Sequence, residues 1–367
     1  MNTPEAKQKP ALYQEPETNL SSHKTHTYLH RPSCPTLLHP HLLSAPTTTK
    51  TTTKMSLTTR LTLTGPAATS PEDILSSSLS TIFPDDVAAQ HGDATHNLLY
   101  TSPHLPHPLP LTLPQVQDES DRHLFSHFLW NSALLLAELI EADTLELATT
   151  REGEGGVAPP AGVFDISGLR TIELGAGTGL PSIMAGLVGA PGLVATDYPA
   201  PAVVEALRGN VVSAVREGNA PAGRFRVEEV RVEGHGWGEV DAEFASEERG
   251  GFDRVLAADC LWMPWQHGNL RRSIAWFLKE GPGARAWVVG AFHTGRHQMA
   301  RFFEREALAE VGLEVEYLWE RDCDGRDREW AWDRGVEDVR VLKRWLAIGV
   351  LRRIGRPVEG EAGEVRP

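Results

Sequence analysis

The stretch TIELGAGTGLPSIMAG, residues 171–186, decides the fold class of this chain. An apolar run ends in glycines at three alternate positions, Gly175, Gly177 and Gly179, and a helix-like apolar pattern resumes after Pro181. Glycine adopts backbone conformations that other residues avoid, and it lets a ligand approach the main chain closely. Proline is well tolerated in the first turn of a helix. The stretch is therefore typical of a strand, a turn and a helix that together bind a nucleotide-like cofactor, and a turn that serves only packing is the alternative.

The spacing of the glycines distinguishes between cofactor classes. A dinucleotide turn, G-x-G-x-x-G, would place its last glycine at position 180, which is Leu180 here. Glu173 adds a carboxylate beside the turn, and this charge would repel a pyrophosphate but suit a ligand with an ammonium group and a positively charged sulfur. The pattern therefore disfavours a dehydrogenase and favours S-adenosyl-L-methionine.

Strand-like and helix-like segments alternate along the rest of the chain. The strand-like segments are residues 169–174, 192–198, 224–232, 252–259, 284–292, 313–320 and 344–353. The helix-like segments are the one after Gly179 and residues 200–217, 266–280 and 296–311, preceded by a helix within 121–142 whose apolar residues are Phe125, Phe128, Leu129, Leu135, Leu136 and Leu139. Such alternation predicts an α/β fold with an open, mostly parallel sheet of about seven strands and helices on both faces. The last two strands lack a clear helix between them, which predicts an antiparallel hairpin at one edge.

The remaining segments differ in composition from this core. Residues 1–54 are rich in Thr, Pro, Ser and His, which predicts a disordered tail, and Met55 is a candidate alternative start. Residues 55–120 are predicted to form an extension that packs on the core, with a short helix around 70–83 and an extended Pro-rich stretch at 102–114. The domain itself is predicted to span 121–353, followed by a tail at 354–367.

Composition excludes several function classes. The chain has 367 residues, 41% of them hydrophobic, and no apolar stretch reaches the roughly 20 residues that cross a bilayer. A net charge of −14 argues against direct nucleic-acid binding and favours a basic partner. The cysteines, Cys34, Cys260 and Cys323, lack metal-ligand spacing and cannot form a disulfide framework. We therefore predict no metal site, no membrane partner and a cytoplasmic or nuclear location.

The carboxyl ends of parallel strands hold the ligand in such a sheet. Asp197 ends the second strand about twenty residues after Gly177, where an acid accepts ribose hydroxyls, although it could instead cap the next helix. Trp237 stands among glycines after the third strand, either as a stacking partner for a purine or as a plug at the sheet end. Asp259 and Trp262 follow the fourth strand and predict an acceptor pocket for a cationic or flat amine.

Other polar residues carry weaker signals. Cys260 has no partner histidine identifiable from spacing, so a catalytic thiolate is disfavoured. His293 and His297 follow the fifth strand and either line the site or lie in a solvated loop. The charge-dense stretch before the last strand is predicted to be a solvated connection. The alternative is a substrate-docking surface that includes Trp330 and Trp332.

Several motifs together resemble those of a known family. ELGAGTG, ATDY, GHGWGE and ADCLW are similar to the motifs of the seven-strand, S-adenosylmethionine-dependent methyltransferases of the lysine-methyltransferase type. Residues 58–83 and 121–141 resemble the fungal nicotinamide N-methyltransferase-like subgroup, which is related to fungal enzymes that methylate the N-terminus and a lysine of a translation elongation factor. The likeness covers roughly residues 55–353. It implies a Rossmann-like seven-strand methyltransferase sheet and S-adenosyl-L-methionine as the cofactor.

The resemblance also implies roles for individual residues. It places Trp130 at the cofactor from the upstream helix, Gly175 and Gly177 under the methionine part, Asp197 at the ribose, Trp237 at the adenine and Asp259 near the transferred methyl group. The full cofactor-binding set is Trp130, Glu173, Gly175, Ala176, Gly177, Asp197, Tyr198, Trp237 and Ala258, and the catalytic set is Asp259 and Trp262. Many relatives carry Asp-x-x-Tyr or Asp-x-x-Phe after the fourth strand, whereas this chain has Trp262 at the last position.

This departure leaves the methyl acceptor open. We expect a protein amine, either a lysine or an N-terminus, and the resemblance implies a translation elongation factor as a candidate substrate. A small-molecule, nicotinamide-type acceptor is the second reading, and a non-catalytic interaction protein that keeps the fold is the third.

Overall fold

The computed structural model describes residues 56–65, 89–92, 96–115, 125–126, 128–147 and 157–355. The predicted tail at 1–54 and the short helix around 70–83 lie outside the described residues, as does the C-terminal tail beyond 355. Within the described parts of the chain, no helix is both long enough and apolar enough to cross a membrane.

The N-terminal strands form two small sheets. A 3₁₀ turn at Leu57–Arg60 precedes an antiparallel three-stranded sheet in the order β1-β3-β4, and β2 pairs with β5. The strands are β1 (Leu61–Thr64), β2 (Gln90–His91), β3 (Asn97–Tyr100), β4 (Leu109–Leu111) and β5 (Leu129–Trp130). Arg60 connects this region to the helix that follows β5, because its buried guanidinium donates to Glu138 (3.0 Å) and Glu141 (3.3 Å). Asn210 also exchanges hydrogen bonds with the backbone of Thr112 (2.8 and 2.9 Å).

The main sheet has eight strands in the order β12-β11-β13-β10-β9-β6-β7-β8. They are β6 (Thr171–Leu174), β7 (Gly192–Asp197), β8 (Glu229–Gly234), β9 (Arg254–Ala258), β10 (Arg285–Ala291), β11 (Leu313–Asp322), β12 (Asp327–Glu329) and β13 (Trp345–Arg353). The five neighbouring strands β8, β7, β6, β9 and β10 are parallel to one another. The pairs β10–β13, β13–β11 and β11–β12 are antiparallel. The predicted Rossmann-like sheet with an antiparallel edge is therefore confirmed, with the short strand β12 added to the predicted seven.

Helices cover both faces of this sheet. They are α1 (Asn131–Thr144), α2 (Leu180–Val188), α3 (Pro201–Ala214), α4 (Glu243–Glu247), α5 (His267–Phe277), α6 (Arg296–Ala300), α7 (Arg305–Ala309) and α8 (Val339–Leu342). One apolar cluster includes residues of α1, α2 and α3, and a second includes residues of α5, α6 and α7. Burial of apolar side chains in both clusters is the main favourable contribution to folding.

Two predicted helices differ from the observed ones. The helix predicted within 121–142 begins only at Asn131, since Leu129 and Trp130 pair with β2 and the Asn131 N–H donates to the Ala89 carbonyl (3.1 Å). Phe125 has a φ of 53°, which also excludes it from a helix. The placement of Trp130 on that helix was therefore wrong.

The helix predicted over 296–311 is interrupted. α6 continues as a 3₁₀ turn through Phe303, and Glu304 has an extended ψ of 129° before α7 begins. Arg271 donates to the carbonyls of Arg301 and Phe302 (both 3.3 Å), so these groups have a partner outside the helix. A side chain from a distant helix thus satisfies carbonyl groups that a continuous helix would satisfy itself.

Candidate active site

A cavity of about 410 Å³ lies at the carboxyl ends of β6, β7, β8 and β9. Its size falls within the ~300–1,000 Å³ of typical small-molecule sites. Its lining includes backbone from the glycine turn, acidic and amide side chains, and aromatic rings: Phe125, Phe128, Trp130, Gly175, Ala176, Gly177, Asp197, Tyr198, His235, Trp237, Glu239, Ala258, Asp259, Trp262, Gln266 and Asn269. The cavity therefore combines polar anchors with apolar walls.

The glycine turn needs glycine for two separate reasons. Gly175, Gly177 and Gly179 have φ values of 68°, 54° and 80°, a backbone region that residues other than glycine rarely adopt. A Cβ at Gly175 would also lie 2.8 Å from Cys260 Sγ and 2.9 Å from the Trp237 ring. The glycine pattern therefore serves the protein's own packing as well as ligand access.

Asp197 stands at the end of β7 and is almost fully buried. Oδ2 accepts the Gly177 N–H and Oδ1 accepts the Tyr198 N–H, both at 2.7 Å. Burial raises the pKa of this carboxyl to about 6, while the two backbone donors favour the anion. Helix α3 begins later, with Ala200 at its N-cap, so Asp197 is not its capping residue. Each carboxylate oxygen can accept a further hydrogen bond from a hydroxyl group in the cavity. This geometry is compatible with the predicted contact to the ribose, which stays a prediction.

Glu173 does not line the cavity, contrary to its predicted contact with a cationic ligand. The side chain is fully buried, and Oε2 accepts the Ser182 N–H (2.9 Å) in the first turn of α2. Burial raises its pKa to about 8, so the group is mostly uncharged at neutral pH. The bond to Ser182 places the Glu173 carboxyl against α2 and away from the cavity lining.

Trp237 and His235 form the wall that follows β8. Trp237 lies against the glycine turn at Gly175 and lines the cavity, so its stacking on a purine stays a prediction. His235 was not predicted; its Nε2 shares a hydrogen bond with Ser273 Oγ (3.0 Å), and burial lowers its pKa to about 4. The imidazole is therefore neutral at physiological pH.

Asp259 follows β9 in a strained conformation, with a φ of 59° that a non-glycine residue rarely adopts. Oδ1 accepts Ser132 Oγ–H (3.0 Å) and the Ala291 N–H (3.1 Å), and Oδ2 lies 2.9 Å from His293 Nε2. Three partners from separate elements therefore hold the carboxylate at the cavity wall. Strain of this kind persists where the surroundings fix it, and it is common at functional sites.

His293 belongs to this site, although the sequence left it between a site residue and a solvated loop. Its side chain is one-quarter exposed and contacts the Trp130 ring edge-on at 4.8 Å. Burial lowers the pKa of the imidazole, but Asp259 outweighs this effect, so the pKa lies above its ordinary value of 6.5. The contact with Asp259 spans 34 residues and has no local sequence signal.

Aromatic rings in contact with one another line one part of the cavity. Phe125 contacts Trp262 edge-on at 5.2 Å and Trp130 at 6.4 Å, and Phe128 contacts Trp130 at 5.9 Å. Trp265 touches Trp262 (6.4 Å) and is 72% exposed. Rings of this kind provide an apolar wall with electron-rich faces for a cation. We name the group of Phe125, Phe128, Trp130, Trp262 and Trp265 the aromatic rim.

Two further sequence readings are resolved by the structure. Cys260 is buried, donates to the Leu174 carbonyl (3.2 Å) and has its pKa raised by burial, so it is a neutral thiol. The stretch predicted as a solvated connection instead carries β12 and part of a buried ion cluster in which Glu320 binds Arg296, Arg328 and Arg334. The prediction of a solvated connection was therefore wrong for residues 320–328, whereas most of residues 332–340 are exposed as predicted.

The structure brings together at one cavity every predicted site residue except Glu173. The rule that ligands lie beyond the carboxyl ends of parallel strands placed Asp197, Trp237 and Asp259 correctly at the cavity. The residues that were missed, including His235, Ser132, Phe125 and Phe128, have roles that depend on contacts distant in the sequence.

Known proteins share this sequence pattern. The profile of a family described as lysine methyltransferase matches residues 113–307, more than half of the chain. The protein N-terminal and lysine N-methyltransferase EFM7 of Yarrowia lipolytica is 30% identical over 207 residues, which cover 54% of this chain and 68% of that protein. The protein of the same name from Gibberella zeae is 29% identical over 209 residues, 54% of this chain and 70% of that protein. Among solved structures, Aeropyrum pernix fibrillarin with natively bound S-adenosyl-L-methionine is 16% identical, and the match covers 51% of this chain and 67% of that chain with a TM-score of 0.33.

Proposed function

Because this chain belongs to the lysine methyltransferase family, we propose that it transfers a methyl group from S-adenosyl-L-methionine to an amine of a protein. The acceptor is a lysine side chain or a free N-terminus, as the names of the fungal relatives state for those proteins. The observation that carries the proposal is the single cavity that joins the glycine turn and Asp197 to Asp259 and the aromatic rim.

The residues present fit the cofactor. Asp197 offers carboxylate oxygens to ribose hydroxyls, and the glycine turn leaves backbone open beside it, since a Cβ at Gly177 would meet no atom closer than 3.8 Å. Trp237 offers an aromatic wall for the adenine. Gln266 and Asn269 add amide groups to the same lining. The cofactor supplies a methyl group that its positively charged sulfur already activates.

The protein's task is then to align an uncharged amine and to exclude water. Holding two reactants in a reactive geometry lowers the barrier by about 7–11 kcal/mol in favourable cases. A lysine has a pKa of about 10.4 and must first lose a proton, which an apolar surrounding and a nearby positive charge both favour. Asp259, fixed by three hydrogen-bonding partners, orients the amine at the cavity wall. The aromatic rim excludes water from the same side.

The alternative readings lack comparable support. The relatives are named for protein acceptors, and neither these relatives nor the matching family supports a nicotinamide-type acceptor or a non-catalytic role. Within the protein-amine class we propose a translation elongation factor as the substrate and the cytoplasm as the location, on the basis of the sequence resemblance and of the free cysteines Cys260 and Cys323 in the described part of the chain.

Labelling with a radioactive methyl donor tests the proposal. The purified full chain is incubated with methyl-labelled S-adenosyl-L-methionine and a Yarrowia lipolytica extract, and labelled proteins are identified by mass spectrometry. We expect label on a lysine or an N-terminus of a protein, and loss of that label with Asp259→Asn. A purified elongation factor added as substrate tests the finer proposal. Label confined to small molecules would overturn the protein-amine acceptor.

A further inference from the structure

The contact between Asp259 and His293 is more than an orienting hydrogen bond. Asp259 lines the cavity, and His293 lies behind it, with Nε2 at 2.9 Å from Oδ2. The imidazole side chain is one-quarter exposed, whereas the carboxylate is only 6% exposed. The pair therefore spans the distance from the buried cavity wall to the protein surface.

The other carboxylate oxygen of Asp259 is already occupied. Oδ1 accepts hydrogen bonds from Ser132 Oγ, at the start of α1, and from the Ala291 N–H, at the end of β10. These two donors fix the plane of the carboxylate and keep Oδ2 directed at His293. The left-handed backbone of Asp259 adds a conformational cost that a merely solvent-facing aspartate would avoid.

A protein amine that enters this site as an ammonium ion has to release a proton inside a confined cavity. Cys260 is a buried neutral thiol, and Glu173 is turned away toward α2. An imidazole takes up and releases a proton near neutral pH, so His293, which contacts the carboxylate, is placed to be the final acceptor.

We propose that His293 receives the proton that the acceptor amine loses, with the carboxylate of Asp259 as the connection between them. The inference rests on the proposed function. An ammonium N–H bond breaks, its electron pair stays on nitrogen, and the proton binds Oδ2 of Asp259. The new Oδ2–H bond then breaks as the proton passes to Nε2 of His293, in the neutral imidazole tautomer that carries its hydrogen on Nδ1 and a lone pair on Nε2. Asp259 returns to its anionic form and stabilises the imidazolium, which releases the proton to solvent. His293 is thus a positioning and proton-accepting residue that acts through Asp259.

The surroundings of His293 leave Asp259 as the charge that acts on it. Trp130, which contacts the imidazole edge-on, has an uncharged ring. Arg296, three residues further along, is bound to Glu320 and Glu337, so its charge is compensated. Among the described residues, Asp259 is therefore the group expected to control the titration of this imidazole.

Nuclear magnetic resonance of the histidine rings gives a test that needs no turnover. In the wild-type full chain we expect the ring of His293 to titrate with a pKa above 6.5, because Asp259 stabilises the imidazolium. In Asp259→Asn we expect this pKa to fall below 6.5, since burial then acts unopposed. The signals are assigned with His293→Gln, and His297→Gln serves as the control. An unchanged His293 titration in Asp259→Asn would overturn the proposed pair.

The pH dependence of methyl transfer tests the proton path itself. For a lysine peptide we expect the wild-type kcat/KM to rise with pH through the pKa measured for His293, because the neutral imidazole is the acceptor. His293→Gln keeps a hydrogen-bond donor but accepts no proton, so we expect about 100-fold lower kcat, a KM within about threefold and no such rise. The loss should be smaller for an α-amine, whose pKa is only about 7.7–8.0.

Two results separate the failures. If lysine peptides are methylated and His293→Gln keeps the wild-type rate and pH profile, the proton path is wrong while the proposed function stands. If the wild-type chain methylates no protein amine at any pH, the proposed function fails and the proton path with it. His297→Gln, a substitution in the neighbouring helix α6 that leaves Asp259 untouched, should behave like the wild type in both assays.

Discussion

Asp197 connects the glycine turn to the cavity, because its carboxylate accepts N–H groups from Gly177 and Tyr198. Replacing it with asparagine leaves one amide N–H₂ group facing a backbone donor, and it removes the charge that favours hydroxyl donors. Hydrogen bonds to a charged group contribute about 1.5–3 kcal/mol, so we expect Asp197→Asn to bind S-adenosyl-L-methionine about 10- to 100-fold more weakly. Calorimetric titration measures this change, with the exposed Asp241→Asn as control. Equal affinities would contradict the role of Asp197.

The raised pKa of Glu173 should make the free energy of unfolding depend on pH. Burial raises its pKa in the folded chain to about 8, from an ordinary 4.5. Between these values the folded state holds a proton that the unfolded state releases, so the free energy of unfolding falls as pH rises from 4.5 to 8. For one such proton, each unit of rising pH lowers the free energy of unfolding by up to about 1.4 kcal/mol.

The variant Glu173→Gln isolates this effect. The amide does not titrate, so we expect its unfolding free energy to fall less steeply with pH than that of the wild type between pH 5.5 and 7.5. Urea unfolding at several pH values measures both curves, and the exposed Glu243→Gln should follow the wild type. Parallel curves for Glu173→Gln and the wild type would show that Glu173 is ionised in the folded chain.

The predictability of single residues depended on how local their signal was. Asp197 and Asp259 could be placed because each directly follows an apolar strand, and strand ends define the ligand side of such a sheet. Glu173 could not be placed in this way, since all residues of β6 are buried and the sequence does not show toward which face of the sheet the Glu173 side chain points. The pairing of His293 with Asp259 depends on how two loops meet, which the sequence pattern does not encode.

Among the secondary-structure elements, those with strong periodicity were predicted well and those ended by long-range contacts were not. α2, α3 and α5 lie within their predicted ranges. The helix predicted over 296–311 ends early because Arg271 binds its carbonyls and because Phe303 turns inward against β13. Neither cause is visible in a local pattern of apolar residues.

Gly349 tests the packing at this interruption. A Cβ built on Gly349, in the middle of β13, would overlap the ring of Phe303. Overpacking of a core costs about 1–3 kcal/mol, so we expect Gly349→Ala to lower the free energy of unfolding by that amount. Gly209, exposed in α3 with open space around it, is the matched control, and Gly209→Ala should stabilise the chain by about 0.5–1 kcal/mol. Urea unfolding of both variants decides, and a fully stable Gly349→Ala would contradict the packing.

In the molecule as a whole, the strands that carry the cavity and the antiparallel strands lie in different halves of the main sheet. The four strands β9, β6, β7 and β8 carry the cavity at their carboxyl ends, whereas β13, β11 and β12 close the opposite side. The lack of a clear helix-like pattern before the last strand predicted an antiparallel pair, although the short helix α8 lies there. It did not predict that β13 inserts between β10 and β11, because strand order depends on pairings between segments far apart in the sequence.

The charge of the whole chain predicts how a substrate is attracted. With 49 acidic and 35 basic residues, the chain has a formal charge of −14 and should accelerate encounters with a basic acceptor. Salt shortens the range of this attraction, from about 30 Å at 0.01 M to about 3 Å at 1 M. We therefore expect kcat/KM for a lysine peptide with basic flanking residues to fall at least about fivefold between 0.05 and 0.5 M NaCl, with little change in kcat, since steering acts on association. A peptide with the same lysine between glutamates should show no such fall, and equal salt dependence of both peptides would contradict steering by the chain's charge.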